Sequence, residues 1–467
     1  MTTQLAPPNS STERGAMRKS SAARRSMLKS SLKNLARTIA QQTVGRLPPP
    51  VSRLTGKLAC EGGTPVRDIR FRPWADYHSR NRLAWATVVG PRFRNIFLSG
   101  AEGTPQRRAI EFAEQWAARC GCRYGLLLPH GTDALRLALA AVFDHDGLEY
   151  GGEVIVPNFS FIASAGAPLD RRFGIALVDV EPDTLLLDPK RVEEAIVPGK
   201  TRAILPVHLF GQPAHMTALC EVARRHNLKI IEDAAQAHGA EWESGPVGSL
   251  GDAAGFSFQS HKSLSCGEGG ILTTNDDEVF DRAYRLHDVG RARIGRERWD
   301  HHTLGWNCRP TEYQAAVLLY RLTLFDQQQS IRRENFGRLR ELLADLPCVE
   351  PLAVRPGVKR HGMYMFPLRY RPEHCGGASF EDFLHAVQAE GMPIHRAFST
   401  TMSAQPAVQR LLEKRPQYVR VLPTPVSDRA ATETAYIPHG VFLGSARDME
   451  EIAAAVRKVA DHFCHRA

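Results

Sequence analysis

"FSFQSHKSLSCGEGGILTTND" (residues 256–276) contains a single lysine, Lys262, in a loop of small polar residues. Glu268 and three glycines follow it closely. A lysine in a tight, partly buried loop costs free energy unless a ligand or a reaction uses it. A surface lysine in a turn is the alternative, but such a turn would not need the flanking apolar segments "GFSF" and "GEGGILTT", which indicate buried strands. We therefore interpret Lys262 as a functional residue.

The chain upstream of this loop alternates short apolar strands with helices for about 200 residues. The pattern is clearest in "YGLLLPHGTDALRLALAAVF" (124–143), "GGEVIVPNFSFIASAGAPL" (151–169) and "LKIIEDAAQAHGAEW" (228–242). Such alternation is typical of a mostly parallel sheet covered by helices on both faces, so we predict an α/β fold. In such sheets ligands bind at the carboxyl ends of the strands, where the loops begin.

The pattern changes near residue 330, where a long helix is followed by mixed strands and helices. We predict a large cofactor-binding α/β domain over residues 58–330, with an N-terminal arm over 58–103. A smaller C-terminal α+β domain is predicted over 331–467. Residues 1–57 are predicted to form a basic, disordered tail.

The composition of 43% hydrophobic and 24% charged residues is that of a soluble globular protein, and no apolar run approaches the ~18 residues of a membrane span. The net charge of +10 belongs to the tail, which has eleven Lys or Arg and one acid, Glu13. The rest of the chain is neutral, so we expect no nucleic-acid partner. A tail contact with nucleic acid or an anionic membrane is the alternative.

The cysteines and the tail both favour the cytoplasm. Nine scattered cysteines, an odd number, indicate reduced thiols, and their spacing does not suggest a metal site. "RRSMLKSSL" (24–32) resembles a twin-arginine export signal, but polar residues interrupt the apolar stretch that should follow it. We expect a cytoplasmic protein without a metal.

Four predicted strand-end loops each offer a different chemical group. Gly131, Thr132 and Asp133 open a helix, whose free N–H groups favour an anion. Asp233 ends a strand with a carboxylate, Phe161 offers an aromatic face, and Lys262 offers an amine. Taken singly, the first two also fit helix caps and the aromatic ring also fits the core.

Taken together, the four groups match the needs of pyridoxal 5'-phosphate. Its phosphate requires an anion cradle, its ring a stacking face, its pyridine nitrogen a carboxylate and its aldehyde a lysine for a Schiff base. A positively charged neighbourhood would also lower the pKa of Lys262 and make the amine a usable base.

Six segments form a joint pattern: "HGTDALRLAL", "EVIVPNFSFIASA", "LPVHLFG", "IIEDAAQAHGA", "GDAAGFSFQSHKSLSCGEGGILTTND" and "LGWNCRPTEYQAA". In order and spacing they resemble the DegT/StrS-type sugar aminotransferases, and the resemblance extends over residues 58–467. It implies a fold type I pyridoxal phosphate transferase that forms a homodimer with active sites shared between the subunits.

The resemblance also implies a set of cofactor contacts. Lys262 forms the Schiff base and moves the proton, and Asp233 pairs with the pyridine nitrogen. The remaining contacts are Gln236 to the ring hydroxyl, Phe161 stacked on the ring, Thr132, Ser257 and the Asp133 backbone on the phosphate, and Asn307 on the phosphate of the other subunit.

Two further residues are predicted to bear on the substrate, and a third bears on the type of reaction. Arg309 is predicted to contact a carboxylate or phosphate. His130 is a departure from the family, which has a small polar residue there, and we expect it on the substrate side. His261 precedes the lysine; some relatives have histidine in place of the lysine and remove hydroxyls. Because Lys262 is present here, transamination is favoured.

We predict a ping-pong transfer of an amino group from glutamate or glutamine to a keto-sugar or keto-cyclitol, in amino-sugar, secondary-metabolite or polysaccharide biosynthesis. "FSFQ" and "LSCGEGG" resemble the branch that acts on keto-cyclitols such as scyllo-inosose, and the aminohydroxybenzoate synthases, more than the branch that acts on nucleotide-linked keto-hexoses. A pyridoxal phosphate dehydratase or lyase is the first alternative. A non-catalytic pyridoxal phosphate-binding regulator is the second.

Overall fold

The computed structural model describes residues 57–67, 89–99, 107–144, 149–293 and 300–464. The predicted basic tail, except Lys57, and much of the predicted arm lie outside these residues. Within them, no helix combines the length and apolar character needed to cross a membrane.

An eight-stranded sheet forms the centre of the described chain, with the strand order β1-β9-β8-β5-β4-β2-β3-β14. Only β9 runs against the other seven strands, so the sheet is mostly parallel, as predicted. Its strands are β1 (Tyr124–Leu128), β2 (Glu153–Pro157), β3 (Gly174–Val178), β4 (Thr201–Ile204), β5 (Lys229–Asp233), β8 (Ala253–Ser257), β9 (Gly270–Thr274) and β14 (Val419–Val421).

Two smaller sheets complete the β structure of the described residues. A four-stranded antiparallel sheet has the order β10-β12-β15-β13, and a three-stranded sheet has the order β11-β6-β7. Their strands are β6 (Glu241–Trp242), β7 (Gly245–Pro246), β10 (Val349–Pro351), β11 (Val358–Arg360), β12 (Met365–Tyr370), β13 (His395–Arg396) and β15 (Thr434–Pro438).

The α-helices pack around these sheets. Their bounds are α1 (Gly90–Ser99), α2 (Arg107–Arg119), α3 (Gly131–Phe143), α4 (Ala163–Asp170), α5 (Pro189–Ala195), α6 (Met216–His226), α7 (Asp277–His287), α8 (Glu312–Leu342), α9 (Phe380–Ala389), α10 (Pro406–Lys414), α11 (Pro425–Glu433) and α12 (Ala446–Cys464).

Helices cover both faces of the central sheet because its strands are apolar on both sides. In β2, Val154 and Val156 join one buried cluster with Leu135 of α3. Ile155, between them, joins another cluster with Leu219 of α6. Successive side chains of a strand point to opposite faces of the sheet. An uninterrupted apolar run therefore packs against helices on both faces. The α/β prediction is confirmed.

Helix α8 links the central sheet to the four-stranded sheet. It begins with a capping box formed by Thr311 and Gln314. Within the helix, Gln329 Nε2 donates to the carbonyl oxygens of His238 and Gly362, each at 2.9 Å. The predicted domain boundary at residues 330 and 331 falls inside this helix, and the division into domains stays a prediction.

Candidate active site

A cavity of about 950 Å³ lies at the carboxyl ends of the parallel strands. Loops that follow β1, β2, β4, β5 and β8 supply one side of it, and residues near β12 and β15 supply the other side. This is where ligands bind in sheets of this kind.

Eight of the ten residues singled out from the sequence line this cavity: His130, Thr132, Asp133, Phe161, Asp233, Gln236, Ser257 and Lys262. Asn307 and Arg309 are not among its lining residues. Asn307 forms an isolated bridge with Asp288, and Arg309 Nη1 donates to Asp288 Oδ1 at 2.5 Å. The predicted roles of Asn307 and Arg309 stay predictions.

The N-terminus of α3 is pressed against the ends of β8 and β9. A Cβ added to Gly131 would lie 2.6 Å from Ser257 Cβ, and one added to Gly270 would lie 2.2 Å from the carbonyl oxygen of His130. Glycine at both positions therefore permits this close approach. The result places the first N–H groups of α3 beside the Ser257 hydroxyl.

The start of α3 leaves backbone donors available for an anion. His130 is the N-cap, but its side chain forms no cap hydrogen bond; its Nδ1 lies 3.1 Å from Glu268 Oε2. The Asp133 carboxylate accepts from Arg136 Nη2 at 2.7 Å. With these side chains paired elsewhere, the helix dipole and the N–H groups favour a phosphate or another anion here.

Asp233 is a buried carboxylate at the end of β5. Ser164 Oγ donates to its Oδ2 at 2.7 Å, and the backbone N–H of Ala235 donates to its Oδ1 at 3.1 Å. Burial raises the pKa of the carboxyl, while these two hydrogen bonds and the positive charge of Lys262 act in the opposite direction. The arrangement fixes one carboxylate orientation at the cavity.

Lys262 is half-buried and lines the same cavity. Its backbone N–H donates to the carbonyl oxygen of Gln259 at 2.8 Å, which closes a tight turn. Burial lowers the pKa of its amine to about 8, opposed by the negative charge of Asp233. An amine with such a pKa has a far larger neutral fraction near neutral pH than an ordinary lysine and can act as a nucleophile or base.

Gln236 and Phe161 complete the predicted set. The Phe210 backbone N–H donates to Gln236 Oε1 at 2.7 Å. The amide NH₂ of Gln236 is therefore the group left to donate toward the cavity. Phe161 is 58% exposed although it is a large apolar side chain. Because it lines the cavity, this exposed ring can cover a planar ligand.

The sequence reasoning missed the side of the cavity formed by Tyr364, Phe398, Tyr436 and His439. These residues lie more than a hundred positions after Lys262, and aromatic rings in apolar segments resemble core residues. It also missed Ser164, the hydrogen-bond donor to Asp233. Ser164 lies in the first turn of α4, 69 residues before Asp233, so no local pattern indicates that role.

Comparisons with known proteins agree with this geometry. Residues 95–457 match the DegT/DnrJ/EryC1/StrS aminotransferase family. An L-glutamine:2-deoxy-scyllo-inosose aminotransferase of Streptoalloteichus tenebrarius is 36% identical over 435 residues, which cover 87% of this chain and 98% of the relative. An L-glutamine:scyllo-inosose aminotransferase of Streptomyces griseus is 36% identical over 369 residues, 75% of this chain and 86% of the relative.

Among solved structures, that of 3-amino-5-hydroxybenzoic acid synthase superposes with a TM-score of 0.70 at 29% identity, covering 81% of this chain and 97% of that one. Sequence and fold thus agree over most of the chain. The protein belongs to the DegT/DnrJ/EryC1/StrS aminotransferase family, and it is an aminotransferase.

Proposed function

We propose that the protein uses pyridoxal 5'-phosphate to transfer the amino group of L-glutamine to a keto-cyclitol, in secondary-metabolite biosynthesis. The observation that carries the proposal is the amine of Lys262, which shares a cavity with the buried carboxylate of Asp233 and the N-terminus of α3. Both similar aminotransferases are named for L-glutamine and for a scyllo-inosose.

The residues present fit this cofactor. The start of α3, Thr132 and Ser257 offer N–H and hydroxyl groups to a phosphate. Asp233, held by Ser164, offers a negative charge to a protonated pyridine nitrogen. The exposed ring of Phe161 offers a stacking face.

Pyridoxal phosphate, when bound, supplies the electron sink for breaking and forming bonds at the carbon that carries the amino group. Lys262 would hold it covalently, and its free Nζ would move a proton in each half of the ping-pong reaction. Asp233 would hold the opposing negative charge, and the Gln236 amide NH₂ would be the donor to the ring hydroxyl. Phe161 excludes water from one face.

A homodimer with shared active sites and a cytoplasmic location are part of the proposal. Asn307 and Arg309 lie outside the cavity of their own chain, as residues that serve a partner subunit would. Leu304 in the same segment is 87% exposed, and Phe97 and Leu98 of α1 are also largely exposed, which suits a second copy of this chain. All nine cysteines are free thiols, which suits a reducing compartment.

The test replaces Lys262 and follows both halves of the reaction. Lys262→Ala should retain cofactor through the phosphate contacts but lose turnover with L-glutamine and 2-deoxy-scyllo-inosose. The bound cofactor should no longer lose its visible absorption when L-glutamine is added, because no amine is left to move the proton. Lys190→Ala, at an exposed position, is the matched control and should behave as the wild type. Turnover by Lys262→Ala would overturn the assignment.

The likeness to 3-amino-5-hydroxybenzoic acid synthase favours a second candidate, a dehydration on the same cofactor. The two candidates differ in their products. Aminotransfer consumes one L-glutamine for each amino-cyclitol formed, whereas dehydration releases water with no net transfer of the amino group. Mass spectrometry of the products with amide- and amine-labelled glutamine separates them.

A further inference from the structure

The amine of Lys262 lies against an aromatic ring that the sequence did not point to. Lys262 Nζ is 4.7 Å from the centroid of the Tyr364 ring. An ammonium group at this distance over a ring face is attracted to the negative face of the ring quadrupole. The contact connects the loop after β8 with the residue that precedes β12, and thus the two sides of the cavity.

We propose that the face of Tyr364 is the resting position of the Lys262 ammonium group whenever the amine is not bonded to the cofactor. Tyr364 is thus a positioning residue. Its use during catalysis rests on the proposed function, but the contact itself is a property of the cofactor-free chain. The ring would hold the released amine inside the cavity, ready for the next proton transfer.

Several contacts hold the residue Tyr364 in place. Its backbone N–H donates to the carbonyl oxygen of Phe210 at 3.3 Å, and its carbonyl oxygen accepts from the His439 backbone N–H at 3.2 Å. The His439 ring stacks on it with centroids 5.8 Å apart and planes inclined by 25°. Met363, just before it, has a left-handed backbone with φ of 52°. Such a conformation persists only where the surroundings hold it.

The Tyr364 phenol and the neighbouring His439 ring stay uncharged, so the ring face remains suited to a cation. Burial raises the pKa of the Tyr364 phenol, with the nearby Tyr436 acting in the same direction, so the ring stays a neutral phenol. Burial, together with Arg332, keeps the pKa of His439 well below its ordinary value, so this ring adds no competing charge. His439 Nε2 is 2.9 Å from the carbonyl oxygen of His261, which ties the ring pair to the lysine loop.

The test measures the protonation of Lys262 in cofactor-free protein. The rate of its reaction with trinitrobenzenesulfonate is followed against pH by peptide mass spectrometry, because only the neutral amine reacts. Changed access alters the plateau of this profile, whereas a changed ammonium environment moves its midpoint. Tyr364→Met should lower the midpoint by about 0.5–1 pH unit, since the ammonium loses its ring.

Two variants serve as controls. Tyr364→Phe keeps the ring face without the hydroxyl, and Tyr436→Met removes a different tyrosine of the same cavity. Both should keep the wild-type midpoint. An unchanged midpoint in Tyr364→Met, or an equal shift in either control, would overturn the proposal.

If Tyr364→Met does not fold, pentafluorophenylalanine at position 364 keeps the ring shape and reverses its quadrupole. It should lower the midpoint in the same way, and an unchanged midpoint would again overturn the proposal. The readout needs neither cofactor nor substrate. A failure of this proposal can therefore be told apart from a failure of the proposed function. The proposed function would be overturned by turnover in Lys262→Ala.

Discussion

Different kinds of interaction hold the functional groups on the two sides of the cavity. The strand-end side (Gly131, Thr132, Ser164, Asp233 and Ser257) holds a carboxylate and an anion cradle through short polar contacts. The aromatic side (Tyr364, Phe398, Tyr436 and His439) presents rings that are fixed by stacking and backbone hydrogen bonds. Lys262 meets both sides: burial lowers the pKa of its amine, Asp233 of the strand-end side opposes that shift, and the Tyr364 ring of the aromatic side lies 4.7 Å from its Nζ. The strand-end side thus supplies fixed charge, whereas the aromatic side supplies shape and a neutral ring face.

The largest loss of turnover is expected from a substitution on the strand-end side that removes only a charge. Asp233→Asn keeps an oxygen that can accept from Ser164 or Ala235 but removes the negative charge. We expect turnover to fall by about a hundredfold or more, because a preorganised charge at the reacting centre is lost. Steady-state kinetics and a thermal melt measure the two effects, and the melting temperature should change little.

Glu232 is the matched control for this prediction. It is also buried, but its carboxylate accepts from the backbone N–H groups of Gly248, Leu250 and Gly251 and lies 3.0 Å from His208 Nε2. Glu232→Gln should lower the free energy of unfolding by about 3 kcal/mol, because an amide NH₂ would face those donors. The turnover of the folded fraction should stay near wild type. The reverse outcome for this pair would refute the distinction between a functional and a structural carboxylate.

The anion cradle of the strand-end side should be sensitive to a single methyl group. Gly131→Ala places a Cβ 2.6 Å from Ser257 Cβ, so the start of α3 must move away from β8. Overpacking of about 1–3 kcal/mol should weaken pyridoxal phosphate binding by about tenfold or more, measured by spectroscopic titration.

Gly337→Ala is the control for the cradle. Gly337 lies in α8, and nothing is within 4 Å of an added Cβ. This variant should bind the cofactor normally and gain about 0.5–1 kcal/mol of stability. Equal cofactor affinities in the two alanine variants would mean that the close approach of α3 to β8 does not matter for the anion.

The strand-end side, apart from Ser164, could be predicted from the sequence because its signals are local. Asp233 ends an apolar strand, and Thr132 opens a helix after another strand. The parallel sheet then brings these loop positions to one edge. Lys262 was found because glycines and apolar strands enclose a charged residue within one short segment.

The aromatic side could not be predicted in this way. Tyr364 and His439 meet because β12 pairs with β15, with Met365 opposite Pro438. This register depends on packing between segments about 70 residues apart, which no local pattern records. Likewise, nothing local indicates that Arg309 pairs with Asp288 of its own chain. The residues that could not be predicted are those that meet only through pairing between distant segments of the chain.

The charge state of Lys262 gives the smallest and most direct test of both sides together. Burial lowers its pKa from 10.5 to about 8 in the folded, cofactor-free protein. Between these two values the unfolded chain holds the proton that the folded chain has released, so the free energy of unfolding rises with pH. Lys262→Met lacks this contribution and serves as the reference, since every other titrating group is common to both proteins.

Urea unfolding of both proteins at pH values on either side of 8 measures the difference. Below pH 8 the wild type should carry a constant penalty relative to Lys262→Met, because both states of its lysine are protonated there and the folded one is desolvated. Above it, the penalty should shrink by up to about 1.4 kcal/mol for each pH unit. A difference that stays flat, or that grows with pH, would show that the cavity does not depress this amine. The lysine would then need the bound cofactor, and not the two sides of the cavity, to become reactive.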